Sequence, residues 1–323
     1  MLTVLIGLTS ALVYGAADFL GGTASRRISP VRVTAVAALT GLAVMLLAVA
    51  TVPAFSGYWS GDVIVLGALS GVAGAVAIGL LYACLAIGPM SILSPLTAVV
   101  SAVVPLSIGL VGGERLQTIG YVALGLALVA VVLVGFVPEK GAVRPSLRGV
   151  LMAIGSGACI GVFLVIIDQT PDDSGLVPLV VNRAVTAAIM FSVVGLLAVI
   201  AFSRRSGAVA EPVSVAEPVA VAQPVSVAEP ASVAEPVEAP RPARAWLPGL
   251  RLSIACGIVD AVANAGLLLG VRIGELSIMA VLTALYPAGT IILAAVVLKE
   301  RIAPVQVVGL VLAVAAGAML ALA

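Results

Sequence analysis

Asp260 is the residue to which chemistry is most readily assigned. It lies in an apolar run from about 249 to 271, roughly eleven residues or about 17 Å from its start at 1.5 Å per residue. An ionisable group at that depth of an apolar segment marks a functional site by default. Asn264 follows at i+4 and shares its helix face. A carboxyl held away from water can carry a proton, the property a proton-coupling group needs; a structural hydrogen bond to a neighbouring helix is the competing reading. Asp18 is the second acid, in the last turn of a segment expected at 2–22, where the helix dipole disfavours negative charge. Arg26, Arg27 or Arg32 could compensate it, and Tyr14 at i−4 shares its face. Tyr82 and Tyr286 offer amphipathic rings to a solute, with interfacial anchoring as the alternative. Pro287 follows Tyr286, and a mid-helix proline frees backbone groups that a binding site can use; Pro95 and Pro105 could break their segment similarly.

Other chemistries lack their residues. Histidine is absent, which removes the commonest general acid/base and zinc ligand. Cys84, Cys159 and Cys256 stand singly in apolar stretches and read as packing residues. No metal site, cofactor or catalytic residue is expected. Glycine-rich runs such as Gly67 to Gly79 lack the lysine and hydroxyl of a phosphate loop and read as close helix packing. An ATP-driven pump is therefore disfavoured. An enzyme acting on a lipid or isoprenoid would want clustered carboxylates with basic partners. Asp168, Asp172 and Asp173 lack the latter.

The elements that must position these residues are membrane helices. Of the 323 residues 62% are apolar and 10% charged, against about 25% charged in soluble domains. The net charge of +1 offers nucleic acid no basic face. A span takes about 20 apolar residues, and such stretches recur near 2–22, 31–53, 63–87, 91–112, 117–137, 148–168, 176–202, 249–271, 277–298 and 303–323. The expectation is an all-α integral membrane protein with ten transmembrane helices. The first segment has no basic residues ahead of it, so a cleaved signal peptide is not expected. Between the seventh and eighth segments, Pro212, Pro218, Pro224, Pro230 and Pro236 recur every six residues, each preceded by Glu or Gln. Residues 203–248 therefore read as a disordered, extended linker.

The chain also repeats itself. At an offset of 186, Gly88, Ser91, Leu96-Thr97-Ala98 and Glu114-Arg115 fall on Gly274, Ser277, Leu282-Thr283-Ala284 and Glu300-Arg301. Ser10 and Gly15 fall on Ser156 and Gly161, while Arg32 and Arg183 each open a helix ahead of a threonine. Glu114, Arg115, Glu300 and Arg301, like Arg32 and Arg183, read as structural charges at helix ends. Two copies of a five-helix unit, 1–140 and 141–202 with 249–323, must cross the membrane in opposite senses because five is odd. Thirteen Lys/Arg fall in loops on one side, and Arg115, Arg183 and Arg272 on the other with Asp172 and Asp173. The positive-inside rule then puts both termini outside the cell.

These motifs resemble the EamA-like family of the drug/metabolite transporter (DMT) superfamily. Gly113-Glu114-Arg115-Leu116 and Lys299-Glu300-Arg301-Ile302, followed by Gln306 and Gly309, carry the resemblance, with Leu85-Ala86-Ile87-Gly88 and the run from Tyr14 to Gly22. It implies two inverted five-helix repeats around a central cavity, in a multi-pass protein of the plasma membrane. It also implies alternating access and export of amino acids, drugs or other small metabolites, often proton-coupled. The family is generally drawn with cytoplasmic termini, opposite to the charge bias. A flippase for lipids or lipid-linked carriers, from the same superfamily, is the alternative. The expected partners are a small-molecule substrate, the bilayer and protons; the sequence sets no oligomeric state.

Overall fold

The structure, a computed structural model, describes residues 1–25, 27–87, 90–113, 115–135, 146–208, 246–297 and 303–322. These form eleven α-helices, with two short 3-10 turns and no strand among the described residues. The helices are α1 (Leu2–Ser25), α2 (Pro30–Thr51), α3 (Gly61–Ile87), α4 (Met90–Val111), α5 (Thr118–Gly135) and α6 (Leu147–Asp168). They continue as α7 (Val177–Ala208), α8 (Trp246–Ile273), α9 (Leu276–Thr283), α10 (Tyr286–Val297) and α11 (Pro304–Leu322). Among the described residues, seven apolar stretches are long enough to cross a membrane, α9 and α10 together forming one of them from Leu276 to Val297; three shorter apolar helices accompany them. Valine-rich segments of this kind are helical because backbone groups in lipid must be satisfied within the segment.

Side-chain size, not polarity, separates inside from outside. The buried positions are dominated by alanine, with Ala24, Ala98, Ala102, Ala127 and Ala316 fully covered, whereas Leu5, Leu47 and Val314 are more than 60% exposed. Lipid is as apolar as the core, so close approach of small residues replaces an apolar stripe as the packing signal. Gly67 and Gly71 bring α3 against Pro178, Val181 and Asn182 of α7, in keeping with the packing role expected of that glycine run. Gly15 admits the backbone of α10, where a Cβ would collide with the Tyr286 carbonyl.

Helix ends follow local chemistry. Pro30 opens α2 at a position whose N–H has no helical partner, and the Ser146 hydroxyl caps α6 by accepting from the Gly149 N–H at 3.1 Å. The expected segments match within a few residues, with three differences. First, α7 continues to Ala208 and α8 begins at Trp246, so the segment expected as a linker over 203–248 has helical ends; residues 209–245 lie outside the described residues. Second, the ninth segment is two helices. Pro287 has no N–H to return to the Thr283 carbonyl and its ring crowds that turn, so α9 stops at Thr283 and α10 starts at Tyr286. Third, α4 runs unbroken through Pro95 and Pro105, contrary to the expected break. Opposite Pro105, Gly161 leaves room for the proline ring. Neighbouring helices thus tolerate the proline.

Helices pack in reciprocal pairs. α1 lies along α8 and α6 along α3; α1 also meets α10 and α6 meets α4; α2 packs on α7, α4 on α9 and α5 on α11. One end of the bundle is laced together by loops. The Leu176 N–H donates to the Phe55 carbonyl at 2.9 Å, and Arg272 donates to the Ser174 hydroxyl at 2.8 Å and the Pro171 carbonyl at 3.3 Å. The Thr3 hydroxyl donates to the Ile273 carbonyl at 3.4 Å at the same end. Just inside it, Met45, Leu164, Ile167, Leu179, Leu268, Val271 and Met279 form one apolar cluster.

Candidate functional site

Between α1, α3, α6, α7, α8 and the α9–α10 break lies a cavity of about 130 Å³. Asp260 stands at the midpoint of α8 and reaches it, and Asn264, one turn on, donates to the Asp260 side chain at 3.2 Å and to its carbonyl at 2.8 Å. From α7, Arg183 Nη2 meets Asp260 Oδ2 at 2.5 Å. Arg183 is 6% exposed and sits six residues into α7. It is therefore a buried partner of the central acid and not a helix-opening structural charge. Its Nε has no hydrogen-bond partner among the described residues.

Asp18 lines the same cavity, with Tyr14 beside it. α1 continues to Ser25, so Asp18 lies about two turns inside the helix, and the terminal dipole falls off within one turn. No hydrogen bond or ion pair reaches Asp18 among the described residues. Arg27 is not its counter-ion, and neither is Arg32, half-buried in the first turn of α2; Arg26 lies outside the described residues. Among the described residues, the cation that shares the cavity with Asp18 is Arg183.

The α9–α10 break contributes Thr283, Ala284 and Tyr286, so the break beside Pro287 borders the cavity, while Pro287 itself is not among the lining residues. α7 adds further polar side chains to which the sequence assigns no site role. Asn182 and Thr186 line the cavity, and hold α7 to α3 through bonds to the Ser70 hydroxyl at 2.9 Å and the Gly71 carbonyl at 3.0 Å. Their signal was an i, i+1, i+4 polar set with Arg183 on one face of an apolar helix. Tyr82 falls in α3, and its side chain lies outside the described residues. Arg115 is exposed in the turn after Gly113, away from the cavity; Glu114, Glu300 and Arg301 lie outside the described residues. Cys84 and Cys256 are buried, and no disulfide joins the cysteines among the described residues. No group of three potential metal ligands occurs among the described residues.

Comparison with known proteins agrees with this architecture. A crystal structure described only as that of a protein superposes with a TM-score of 0.64 at 18% identity, covering 99% of this chain and 96% of that one. That likeness is one of fold alone. No curated protein matches the chain. The sequence model of the EamA-like transporter family matches residues 225–322. Helices long and apolar enough to span a membrane, around a charged cavity, are thus joined to a family match over the last third of the chain: this is a multi-pass membrane protein whose residues 225–322 match the model of the EamA-like transporter family, a member of the DMT superfamily.

Proposed function

We propose that the protein is a secondary transporter of small metabolites, working by alternating access as an exporter in the plasma membrane. The observation that carries this reading is the Arg183–Asp260 pair, which joins a buried arginine of α7 to the part-buried acid at the middle of α8 on the wall of a cavity between membrane-spanning helices. Charges in that setting serve a solute or ion path. Residues 1–140 and 141–323 form two inverted five-helix repeats, with α9 and α10 counted as one broken span and residues 203–248 as an insert between helices. The reciprocal packing supports this, because exchanging α1–α5 for α6–α11 turns the pair α1·α8 into α6·α3 and α1·α10 into α6·α4, and returns α2·α7 and α5·α11 to themselves.

The termini face outside. Arg183 is buried in a helix, so the loop bias becomes thirteen against two once it leaves the minority side. The laced end, with Asp172 and Asp173 in its loops, is then the extracellular face. Its apolar cluster seals the cavity from outside and gives the conformation its closed gate. Asp18 and Asp260 serve the path of solute and protons, with Asn264, Tyr14, Tyr82 and Tyr286. Profiling metabolites in cells with the protein, without it, and with Asp260→Asn tests the reading. The expected result is an extracellular pool that rises only with the intact protein; unchanged pools in all three would refute it.

A further inference from the structure

The two halves of the chain hold the same threonine in different states. Thr97 of α4 and Thr283 at the end of α9 correspond at the offset of 186. Thr97 is fully buried, and its hydroxyl donates both to the Leu93 carbonyl of its own helix at 2.9 Å and to the Ala153 carbonyl of α6 at 3.3 Å. The spacing that sets Ser10 on Ser156 sets Gly7 of α1 on Ala153, so the matching acceptor for Thr283 is the Gly7 carbonyl. Thr283 does not take it. Its buried hydroxyl has no hydrogen-bond partner among the described residues, and the residue lines the cavity. Leu282 packs against Gly7 instead, so closely that a Cβ there would have no room. An orphaned buried hydroxyl is unfavourable and calls for a partner in some other arrangement. A pair of serines repeats the difference. Ser156 of α6 donates to the Ala77 carbonyl of α3 at 2.8 Å. Its counterpart Ser10 is buried against Gly266 of α8 and makes no hydrogen bond to that helix among the described residues.

The hydroxyls follow the shape of the helices. Where Thr97 and Ser156 tie α6 to both neighbours, α4 runs unbroken; where Thr283 and Ser10 leave α1 untied, α9 stops at Thr283. The broken span delivers Met279 to the apolar cluster that shuts the laced end. We propose that Thr97 and Thr283 form a reciprocal latch, of which one is fastened at a time. When the laced end opens, the α9–α10 span swings away from the cluster and the Thr283 hydroxyl donates to the Gly7 carbonyl. At the same time α4 bends, and Thr97 leaves Ala153 and turns to the cavity. The proposal rests on the inverted-repeat transporter reading and names the contacts exchanged between its two states. α4 bends at low cost because Pro95 and Pro105 have no N–H, so no backbone bond to the Ser91 or Ser101 carbonyl is there to be lost. One hydrogen bond is given up as its twin forms, which keeps the two states close in free energy, as a protein that populates both requires. Each hydroxyl reaches the cavity only when unlatched, so a solute meets one threonine in each state, from opposite halves of the chain.

The test reads which end of the cavity is open. In the full chain with its three cysteines replaced by alanine, Ile78→Cys on the α3 wall of the cavity is labelled with an impermeant methanethiosulfonate, from the laced end in one preparation and from the opposite end in another. Thr97→Val and Thr283→Val keep the branching and remove the hydroxyl. Thr97→Val should speed labelling from the laced end by about fivefold, the population shift that one hydrogen bond gives, and slow it from the opposite end. Thr283→Val should do the reverse. Thr97→Ser and Thr283→Ser, which keep the hydroxyl, should label like the parent. Loss of packing alone would move both valine variants the same way. Shifts of the same sign, or no shift in either variant, overturn the latch. Size exclusion in detergent shows which variants fold, and if one valine variant does not, the sign given by the other decides. No shift in a chain whose Ile78→Cys is reached from both ends leaves the transporter reading intact. An Ile78→Cys reached from one end only, in cells whose metabolite pools do not move, removes both.

Discussion

Asp260 is held from two sides, by Arg183 from α7 and by Asn264 one turn along its own helix, at 2.5 Å and 3.2 Å. The two helices that carry the ion pair, α7 and α8, are thereby joined side chain to side chain. Removing one partner strands a buried charge, whereas removing both does not.

Arg183→Leu should accordingly destabilise the protein by on the order of 3 kcal/mol, and Arg183→Leu with Asp260→Leu should recover most of that loss. Both variants should be inactive in transport. Thermal unfolding in detergent, read beside uptake, checks the pattern. A double variant no more stable than the single one would show that the pair is not coupled.

Pro287→Ala should mend the break between α9 and α10. The restored N–H can return to the Thr283 carbonyl, and a continuous helix pulls Thr283 and Tyr286 out of their present register on the cavity wall. Thermal stability should hold or rise while transport falls at least tenfold. Amide exchange at residues 286–288 reports whether the helix has closed.

Arg272→Ala should loosen the laced end. It loses the bonds to Ser174 and Pro171 that tie α8 to the loop between α6 and α7. A cysteine placed at Ala280 on the cavity wall should then react several-fold faster with an impermeant thiol reagent added at that end. Unchanged labelling would show that the apolar cluster alone keeps the end shut.

Gly15→Val should prevent accumulation of folded protein, because α1 and α10 approach there with no space for a side chain. Gly22→Val is the matched control on the same helix, where nothing lies within 4 Å of an added Cβ, and it should accumulate normally. Fluorescence size exclusion of the two variants separates the outcomes.

Much of this protein is legible in its sequence because lipid imposes a simple rule: an apolar stretch of sufficient length must be a helix. Asp260 with Asn264 could be read for the same reason, since polar residues at i and i+4 stand out in an apolar run. Arg183 could not. Its position near the start of a span looks interfacial, and its partner lies across the insert, so only packing of α7 near α8 reveals the pair. For Asp18, sequence proximity suggests one of the nearby arginines as counter-ion, whereas the helix carries its side chain towards the cavity. The prolines divide along similar lines. Pro287 breaks its helix while Pro105 does not, a difference that depends on what the neighbouring helix offers, here the space at Gly161.

The uneven walls of the cavity have a geometric consequence. Two identical halves facing one another would present a pocket with two-fold symmetry, in which a solute could bind equally well either way round. If the halves are the inverted repeats proposed above, the sequence offset of 186 sets Gly74 opposite Asp260, both line the cavity, and the pocket has a head and a tail. A solute held there has a single orientation relative to the membrane normal, so its polar end leads in one direction of passage and trails in the other.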